Sequence, residues 1–260
     1  MNLNLKGKYG LVTGAGHGIG RAIALVLAQE GCNVAICSID KQQVDDVVNE
    51  VKAKGVDSIG IQADATVLED IERAIKTIIG AWGAIHILIN NVGGGGRWGS
   101  PVIEETAETV WTDVYNKNAL AAVRFTMRAI PFMRKQKWGR VVTVASRLGR
   151  EGGGRPWFNM AKSAEISLMK TLAMNFDLAR DGITFNSVAP GSIMIPDTGW
   201  EKEQKENPGE FQRKMDIEFP LGRLGKPEEI ADVVAFLCSG NASLVNGSCV
   251  AIDGGESRYF

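Results

Sequence analysis

The chain has 260 residues, of which 45% are hydrophobic, and this is enough apolar material for the core of one α/β domain. Its 29 lysines and arginines nearly balance 30 aspartates and glutamates, which argues against nucleic acid or an anionic membrane surface as a partner. No apolar run approaches the roughly 18 residues of a membrane span, and the N-terminus lacks an uninterrupted signal-peptide core. The four cysteines form no C-x-x-C pair, so neither a metal site nor a disulfide framework is predicted. We expect a single cytoplasmic domain over residues 1–260 whose partners are small molecules or copies of itself.

Short apolar runs alternate with amphipathic stretches along the chain, which is typical of a parallel sheet covered by helices. Strands are predicted at residues 9–13, 33–37, 58–62, 85–90, 140–145, 184–188 and 249–252. Helices are predicted at residues 21–30, 42–54, 68–82, 107–135, 161–181 and 228–238. The alternation indicates a doubly wound α/β domain with about seven parallel strands and helices on both faces. The charged segment 193–225, with its prolines, is predicted to be an irregular lid over a binding site.

A glycine-rich turn joins the first predicted strand to the first predicted helix. Its candidate binding residues are Gly14, Gly16, His17, Gly18, Ile19 and Gly20. Glycines permit a sharp turn and a close backbone approach to a pyrophosphate, and the helix start offers free N–H groups and a favourable dipole. The spacing T-G-x-x-x-G-x-G also fits an ordinary tight turn, but the flanking strand and helix favour dinucleotide binding. Asp64, which Ala65 follows at the end of the third strand, is predicted either to bind an adenine amino group or to cap the strand end.

Further motifs, taken together with this turn, indicate a family. They are Asp64, Asn90-Asn91-Val92-Gly93, Asn118, Ser146, Lys162, Pro190-Gly191 and Ile252-Asp253-Gly254-Gly255. In this order, over nearly the full chain, they resemble the short-chain dehydrogenase/reductases, in particular the 3-oxoacyl-reductase branch. The resemblance implies a Rossmann fold, a nicotinamide cofactor and a homodimer or homotetramer. It assigns Asn90 to the sheet turn beside the adenosine, and it assigns the nicotinamide carboxamide to Pro190, Gly191 and Ile193. Val92 replaces the usual alanine of that sheet turn, and Ile195 replaces a threonine that usually follows the Pro-Gly segment.

The end of the second strand bears on the choice of cofactor. A carboxylate there binds both ribose hydroxyls of NAD and repels the additional phosphate of NADP, and the resemblance places Ser38 at this position. A serine does not repel phosphate. However, the arginine that often follows in NADP users is Ile39, and the basic residue that often precedes Gly18 is His17. Asp40 is predicted to cap the next helix, with a ribose contact as the alternative. The sequence therefore favours NADP(H) over NAD(H).

One residue departs from the catalytic pattern that the resemblance implies. In this family a tyrosine transfers the substrate proton, a lysine lowers the phenol pKa, a serine binds the substrate oxygen and an asparagine supports a proton relay. Lys162, Ser146 and Asn118 match three of these residues. Phe158 occupies the tyrosine position, one helical turn before Lys162. Because phenylalanine has no proton to give, we expect cofactor binding with turnover slowed by about 10²–10⁴-fold.

Three explanations of Phe158 stay open: a substitution introduced to trap a complex, a natural loss of the reaction, or another proton donor. A water bound to Ser146 is a better substitute donor than Tyr115, which is expected to pack. A group of arginines and tryptophans is predicted either to line the substrate mouth or to make surface and subunit contacts: Arg97, Arg147, Arg150, Arg155, Trp98, Trp157 and Trp200.

The function predicted from the sequence is hydride transfer between NAD(P) and a ketone or secondary alcohol. The alternatives are a catalytically silent dinucleotide-binding sensor or subunit, and a non-redox enzyme that uses Ser146 and Lys162. The predicted helices 107–135 and 161–181 carry apolar residues on more than one face, as a subunit interface between helices requires.

Overall fold

The computed structural model describes residues 2–259 and contains, within them, a parallel seven-stranded sheet between two layers of helices. The strands are β1 (Tyr9–Thr13), β2 (Asn33–Ser38), β3 (Ser58–Gln62), β4 (Ile87–Asn90), β5 (Gly139–Val144), β6 (Ile183–Pro190) and β7 (Cys249–Ile252). The helices are α1 (Gly18–Gln29), α2 (Lys41–Lys52), α3 (Leu68–Trp82), α4 (Glu108–Tyr115), α5 (Ala121–Lys135), α6 (Pro156–Ala173), α7 (Phe176–Arg180), α8 (Gly199–Glu206), α9 (Pro208–Glu218) and α10 (Pro227–Cys238). The predicted doubly wound α/β class is confirmed.

The strand order is β3-β2-β1-β4-β5-β6-β7, so the sheet grows in one direction from β1 to β3 and in the other from β4 to β7. Thr13 at the end of β1 pairs with Cys37 of β2, and Val12 pairs with Ile89 of β4. The chain leaves β1 and β4 toward opposite faces, and a crevice opens above their carboxyl ends. The glycine turn after β1 and the segment after β4 therefore meet at one edge of the sheet.

Two apolar layers hold the helices to the sheet. On one face Val12 packs with Ile23 of α1 and Val234 of α10. On the other face Leu11 packs with Ile71 of α3 and Phe125 of α5. Because successive strand residues enter opposite layers, the central strands are buried on both sides, as in other all-parallel sheets.

Two predicted helices differ in the structure. The predicted helix 107–135 contains a π-helical turn at Asn116–Leu120, between α4 and α5. The predicted helix 161–181 begins earlier, at Pro156, because proline is well suited to the first helical turn. It is also interrupted at Asn175, whose side chain accepts a hydrogen bond from the Leu178 N–H and so begins α7.

The segment 193–225 was predicted to be irregular, but it contains the two helices α8 and α9. Pro208 begins α9 rather than breaking it, for the same reason as Pro156. The two ends of the segment are joined, since the Met194 N–H donates to the Gly225 carbonyl and the Gly225 N–H donates to the Ser192 carbonyl. A small core of its own contains Phe211, Met215, Phe219 and Leu224.

The four cysteines are free thiols, and burial raises the pKa of Cys32 and of Cys37 to about 12. Within residues 2–259, no cluster of three or more His, Cys, Asp or Glu side chains is arranged to hold a metal ion. In that same part of the chain, no helix has both the length and the apolar character needed to cross a bilayer.

Candidate active site

The glycine turn after β1 has a backbone that side chains would disturb. Gly14 and Gly18 have φ angles of 63° and 55°, in the left-handed region that favours glycine. A β-carbon on Gly20 would lie 2.4 Å from the Gly14 carbonyl oxygen. His17, at the N-cap of α1, makes no capping hydrogen bond through its side chain, which leaves the first-turn N–H groups available to an anion. The turn lines a cleft of about 830 Å³.

Hydrogen bonds from Thr13 and Asn91 fix this turn against the end of β4. The Asn91 Nδ2 donates to the carbonyl oxygens of Thr13 and Gly14, each at 3.0 Å. The Thr13 hydroxyl donates to the Ile89 carbonyl and accepts from the N–H groups of Asn91 and Val92. The glycine turn is therefore held in position by both β1 and β4.

Asn90, which the resemblance assigned to the sheet turn beside the adenosine, lies in the interior of the sheet and is not among the residues that line the cleft. Its side chain is buried, and its Nδ2 donates to the hydroxyls of Thr126 and Thr143 at 3.0 and 3.2 Å. Successive strand residues point to opposite faces, so Asn91 reaches the cleft and Asn90 instead joins β4 to β5 and α5.

Ser38, Asp64 and Ala65 line the other end of the cleft, at the ends of β2 and β3. The Asp64 Oδ1 accepts hydrogen bonds from the backbone N–H and the hydroxyl of Thr66, so this carboxylate also holds the turn after β3. Asp40 caps α2 by accepting from the Gln43 N–H at 3.0 Å, which is the role the sequence favoured. Gln43 lines the cleft beside Gly16 and was not predicted.

Asn118 and Lys162 converge on Gly93, at the inner end of the cleft. A β-carbon on Gly93 would lie 2.7 Å from the Asn118 Oδ1 and 2.9 Å from the Lys162 Nζ. The Asn118 Nδ2 donates to the carbonyls of Val114 and Gly94, and its Oδ1 accepts from the Gly94 N–H. Asn118 lies in the π-helical turn, a feature that often positions functional side chains.

Ser146 follows β5 and begins the 3₁₀ turn Arg147–Gly149 by accepting a hydrogen bond from the Leu148 N–H at 3.2 Å. This turn packs on α6, since a β-carbon on Gly149 would lie 2.8 Å from the backbone carbonyl carbon of Lys162. The contact places the serine turn beside the helix that carries Lys162.

The ring of Phe158 lies on α6 next to the same group of residues. Its centroid is 5.7 Å from the Lys162 Nζ, and a β-carbon on Gly96 would lie 3.5 Å from its ring atoms. Val114, Trp157 and Ala161 form the apolar cluster against which the ring packs. The position next to Lys162 therefore holds a hydrocarbon ring and no hydroxyl.

Lys162 forms an ion pair in the interior of the protein. Its Nζ donates to the Val144 carbonyl at 3.0 Å and to Glu165 Oε2 and Oε1 at 3.0 and 3.3 Å. The Glu165 side chain is only 1% exposed, and this burial raises its pKa to about 7 although Lys162 acts in the opposite direction. Sequence reasoning missed Glu165, for which the i,i+3 spacing from a helical lysine is the available signal.

Three residues predicted at the nicotinamide are not among the residues that line the cleft. Pro190 ends β6, the Gly191 N–H donates to the Ile252 carbonyl, and Ile193 is buried where it pairs with Gly225. The wall at this point is formed by Ile195, whose side chain lies 3.2 Å from a β-carbon built on Gly18.

The predicted arginines and tryptophans divide between interior contacts and the cleft. Arg147 pairs with Glu151 and Glu256, which joins the serine turn to the C-terminal segment. Trp157 is buried against Trp111, so it is not part of a substrate wall. Trp98 does line the cleft, with the Lys117 Nζ 5.1 Å from its ring centroid.

Comparison with known proteins agrees with this geometry. The family model described as "Enoyl-(Acyl carrier protein) reductase" matches residues 14–257. The chain is 36% identical over 250 residues to a 3-oxoacyl-[acyl-carrier-protein] reductase of Staphylococcus aureus, with 95% of this chain and 97% of the relative covered. The chain belongs to the short-chain dehydrogenase/reductase family.

Other members of the family share nearly the full chain. A cyclohexanol dehydrogenase of Rhodococcus is 37% identical over 274 residues, which cover 98% of this chain and 97% of the relative. The crystal structure of an L-sorbose reductase from Gluconobacter frateurii, complexed with NADPH and L-sorbose, superimposes with a TM-score of 0.91 at 29% identity and covers 100% of both chains. The chain is thus an NAD(P)-dependent enzyme of the short-chain dehydrogenase/reductase family.

The residues of the cleft fit a nicotinamide dinucleotide. At its four glycines the turn presents backbone without a side chain, and it opens at the switch point of the sheet. In a bound dinucleotide Ser38 and Asp64 would face the adenosine half, and Gly93 and Lys162 would face the other half. When bound, this cofactor supplies or accepts a hydride at a substrate carbon.

Gly20→Ala should lower the affinity for NADPH about tenfold or more, because its β-carbon would displace the Gly14 carbonyl and the turn would have to move. Calorimetric titration with NADPH measures the effect. Gly80→Ala is the matched control, since a β-carbon on this α3 residue meets no atom within 4 Å. Equal NADPH affinities of the two variants would contradict a role of the glycine turn in binding the cofactor.

Asn90→Ala should lower the free energy of unfolding by about 2 kcal/mol, because the buried Thr126 and Thr143 hydroxyls lose their common donor. Urea denaturation measures this loss, and the NADPH affinity of the folded variant should not change. Weaker NADPH binding at unchanged stability would show that Asn90 contacts the cofactor.

Proposed function

We propose that this protein is an NADP(H)-dependent reductase of a small ketone, with the secondary alcohol as the product and with turnover slowed by Phe158. The observation that carries the proposal is the convergence of Asn118 and Lys162 on Gly93, beside the Ser146 turn, at the inner end of a dinucleotide cleft. This arrangement supplies cofactor, substrate-oxygen and proton-relay groups to one small volume.

The names of the relatives support the substrate class. A 3-oxoacyl group, cyclohexanol and L-sorbose differ in size and polarity, but each presents a ketone or a secondary alcohol to its enzyme. A carbonyl carbon that accepts hydride is the chemistry that they share. We therefore assign a ketone, and not one named compound, to this chain.

The side chains of the site have separate tasks in this reduction. The Ser146 hydroxyl donates to the substrate oxygen, and the Lys162 ammonium stabilises the negative charge that develops there. Asn118, held by Val114 and Gly94, keeps the glycine run in place and positions its Oδ1 beside Lys162. Phe158 keeps water away from the reacting oxygen but has no proton to offer it.

NADP(H) is proposed on the character of the cleft beside Ser38. β2 ends in Ser38 and not in a carboxylate, and Asp40, which also lines the cleft, uses its side chain to cap α2. His17, a residue type that can donate a hydrogen bond to phosphate, lines the same cleft. The L-sorbose reductase, in complex with NADPH, supports the same choice.

We also propose that the segment 193–225 closes over the cleft, since Ile195 already contacts the glycine turn from its base. A homodimer or homotetramer in the cytoplasm is proposed on the family resemblance.

Ser38→Asp should weaken NADPH binding about tenfold or more while NADH binding is retained, because the new carboxylate repels the 2′-phosphate. The dissociation constants of NADPH and NADH for each variant measure this effect. Ser38→Asn is a neutral control of the same size and should bind NADPH as the parent chain does. Parallel losses in both variants would mean that size, and not charge, is responsible.

Phe158→Tyr should raise kcat for ketone reduction by about 10²-fold or more, because it places a phenol beside Lys162. NADPH oxidation with a panel of ketones measures the gain, and the NADPH dissociation constant should stay the same. Phe176→Tyr, on the exposed start of α7, controls for an added hydroxyl elsewhere. Tight NADPH binding with no turnover by either chain would favour a cofactor sensor over a reductase.

A further inference from the structure

We propose that Lys162 and Glu165 act as one proton-holding pair, which delivers to the substrate oxygen the proton that Phe158 cannot supply. This inference rests on the proposed ketone reduction, and it assigns a role to Glu165 that the family motif does not contain. Lys162 is the group that touches the reacting oxygen in this proposal. Glu165 acts through Lys162 and is a positioning residue.

The contacts of Lys162 place it between Glu165 and the cleft. Its Nζ donates to the Val144 carbonyl and to both oxygens of Glu165, so the protein holds the ammonium on one side. On the other side the same atom lies beside Gly93, which lines the cleft. A proton that enters the pair from Glu165 can therefore leave it toward the cleft through a single nitrogen.

A carboxylate at this position is costly in itself. Glu165 is fully buried on α6, where removal of a charge from water costs several kcal/mol that its partner only partly offsets. An apolar residue of similar volume would fill the same space, but it would leave the buried Lys162 ammonium without its carboxylate partner. Lys162 lies one helical turn after Phe158, the position at which the site lacks a proton donor.

The charge environment permits the pair to exchange a proton near neutrality. Charged side chains also stand on the elements that pack against α6: Glu108, Asp113, Lys117, Arg140, Arg147, Asp177 and Arg180. Lys162 is the charged residue, among those of the described chain, that acts on Glu165, and burial outweighs it and raises the Glu165 pKa to about 7. Burial therefore favours the protonated form of Glu165 more strongly than for an exposed glutamate.

The proton step balances without a further reactant. The reduced cofactor supplies a hydride to the carbonyl carbon, and the C=O π electrons move to the oxygen. One N–H bond of Lys162 breaks as the O–H bond of the alcohol forms. Protonated Glu165 then gives its proton to the Lys162 Nζ, which leaves an ammonium–carboxylate pair that solvent reprotonates. In alcohol oxidation the same transfers run backwards and begin from the ionised pair.

The pair should be visible in the unliganded protein. With ¹³C-labelled glutamate, the Glu165 carboxyl resonance, assigned by its absence in Glu165→Gln, should titrate with a midpoint near 7. A midpoint at the value of an exposed glutamate would overturn the proposal. This measurement requires neither cofactor nor turnover.

Kinetics test whether the pair supplies the proton. Glu165→Gln should lower kcat for ketone reduction by about 10²-fold with little change in KM for NADPH. In the Phe158→Tyr background the same substitution should cost about threefold or less, because the phenol then provides the proton. Glu165→Asp keeps a carboxylate and should retain more activity than Glu165→Gln.

Asp181→Asn is the matched control. Asp181 is also a buried carboxylate with two cationic partners, Arg134 and Lys137, but it precedes β6 at the edge of the sheet opposite the cleft. Its loss should leave kcat unchanged in both backgrounds. If Glu165→Gln costs the same in the parent chain and in the Phe158→Tyr variant, its role is structural and the proposal is overturned.

The pH profile gives the sign of the effect. Because Glu165 must be protonated before reduction, kcat for reduction should fall as pH rises through about 7, and kcat for alcohol oxidation should rise over the same interval. Glu165→Gln should remove this dependence, and a profile that survives in Glu165→Gln would overturn the proposal. If neither the parent chain nor Phe158→Tyr reduces any ketone, the proposed function itself fails, an outcome distinct from an active parent that is insensitive to Glu165.

Discussion

The junction between β1 and β4 is the constraint on which the site depends. The Thr13 hydroxyl and the Asn91 amide join the two strand ends through five hydrogen bonds, at the point where the strand order changes direction. Both strands are buried on both faces, so a register shift would expose one apolar layer and is strongly disfavoured. This fixed register sets the glycine turn directly beside the segment that carries Gly93, since a β-carbon on Gly14 would lie 3.1 Å from the Val92 Cα. A dinucleotide site therefore follows from strand order and backbone, before any catalytic side chain is considered.

The inner end of the cleft depends on charged side chains and not on backbone geometry, and the burial of these side chains costs free energy. Lys162 and Glu165 are both withdrawn from water, and they are retained only because each satisfies the other together with the Val144 carbonyl. The low local dielectric that makes the pair costly also brings the carboxylate into the pH range in which it can exchange a proton. Packing thus determines the chemistry available at this end, whereas backbone geometry determines binding at the other.

The sequence predicted the parts of the protein that depend on local pattern. β1, β3, β7 and α3 have the predicted bounds, because short apolar runs between turn residues and a strongly amphipathic helix leave clear local signals. The π-helical turn at Asn116–Leu120 was missed, since one extra residue hardly disturbs a 3.6-residue pattern. The glycine turn was predicted from its spacing between a strand and a helix, and two of its residues, Gly14 and Gly18, have left-handed backbone angles that favour glycine. The burial of Glu165 and the inward orientation of Asn90 depend on how distant elements pack, which no single segment of the chain encodes.

Phe158 and Glu165 lie on the same helix, one on each side of Lys162 in the sequence. A phenylalanine fills nearly the volume of a tyrosine, and the Phe158 ring packs against the cluster of Val114, Trp157 and Ala161. What the ring removes is a polar partner for the ammonium, since a ring centroid 5.7 Å away gives Lys162 only a weak cation–π contact. In the proposed pair, the carboxylate of Glu165 supplies both a partner for the ammonium and a titratable proton, one turn further along the same helix. The charge balance and the proton of the site are then both held within α6.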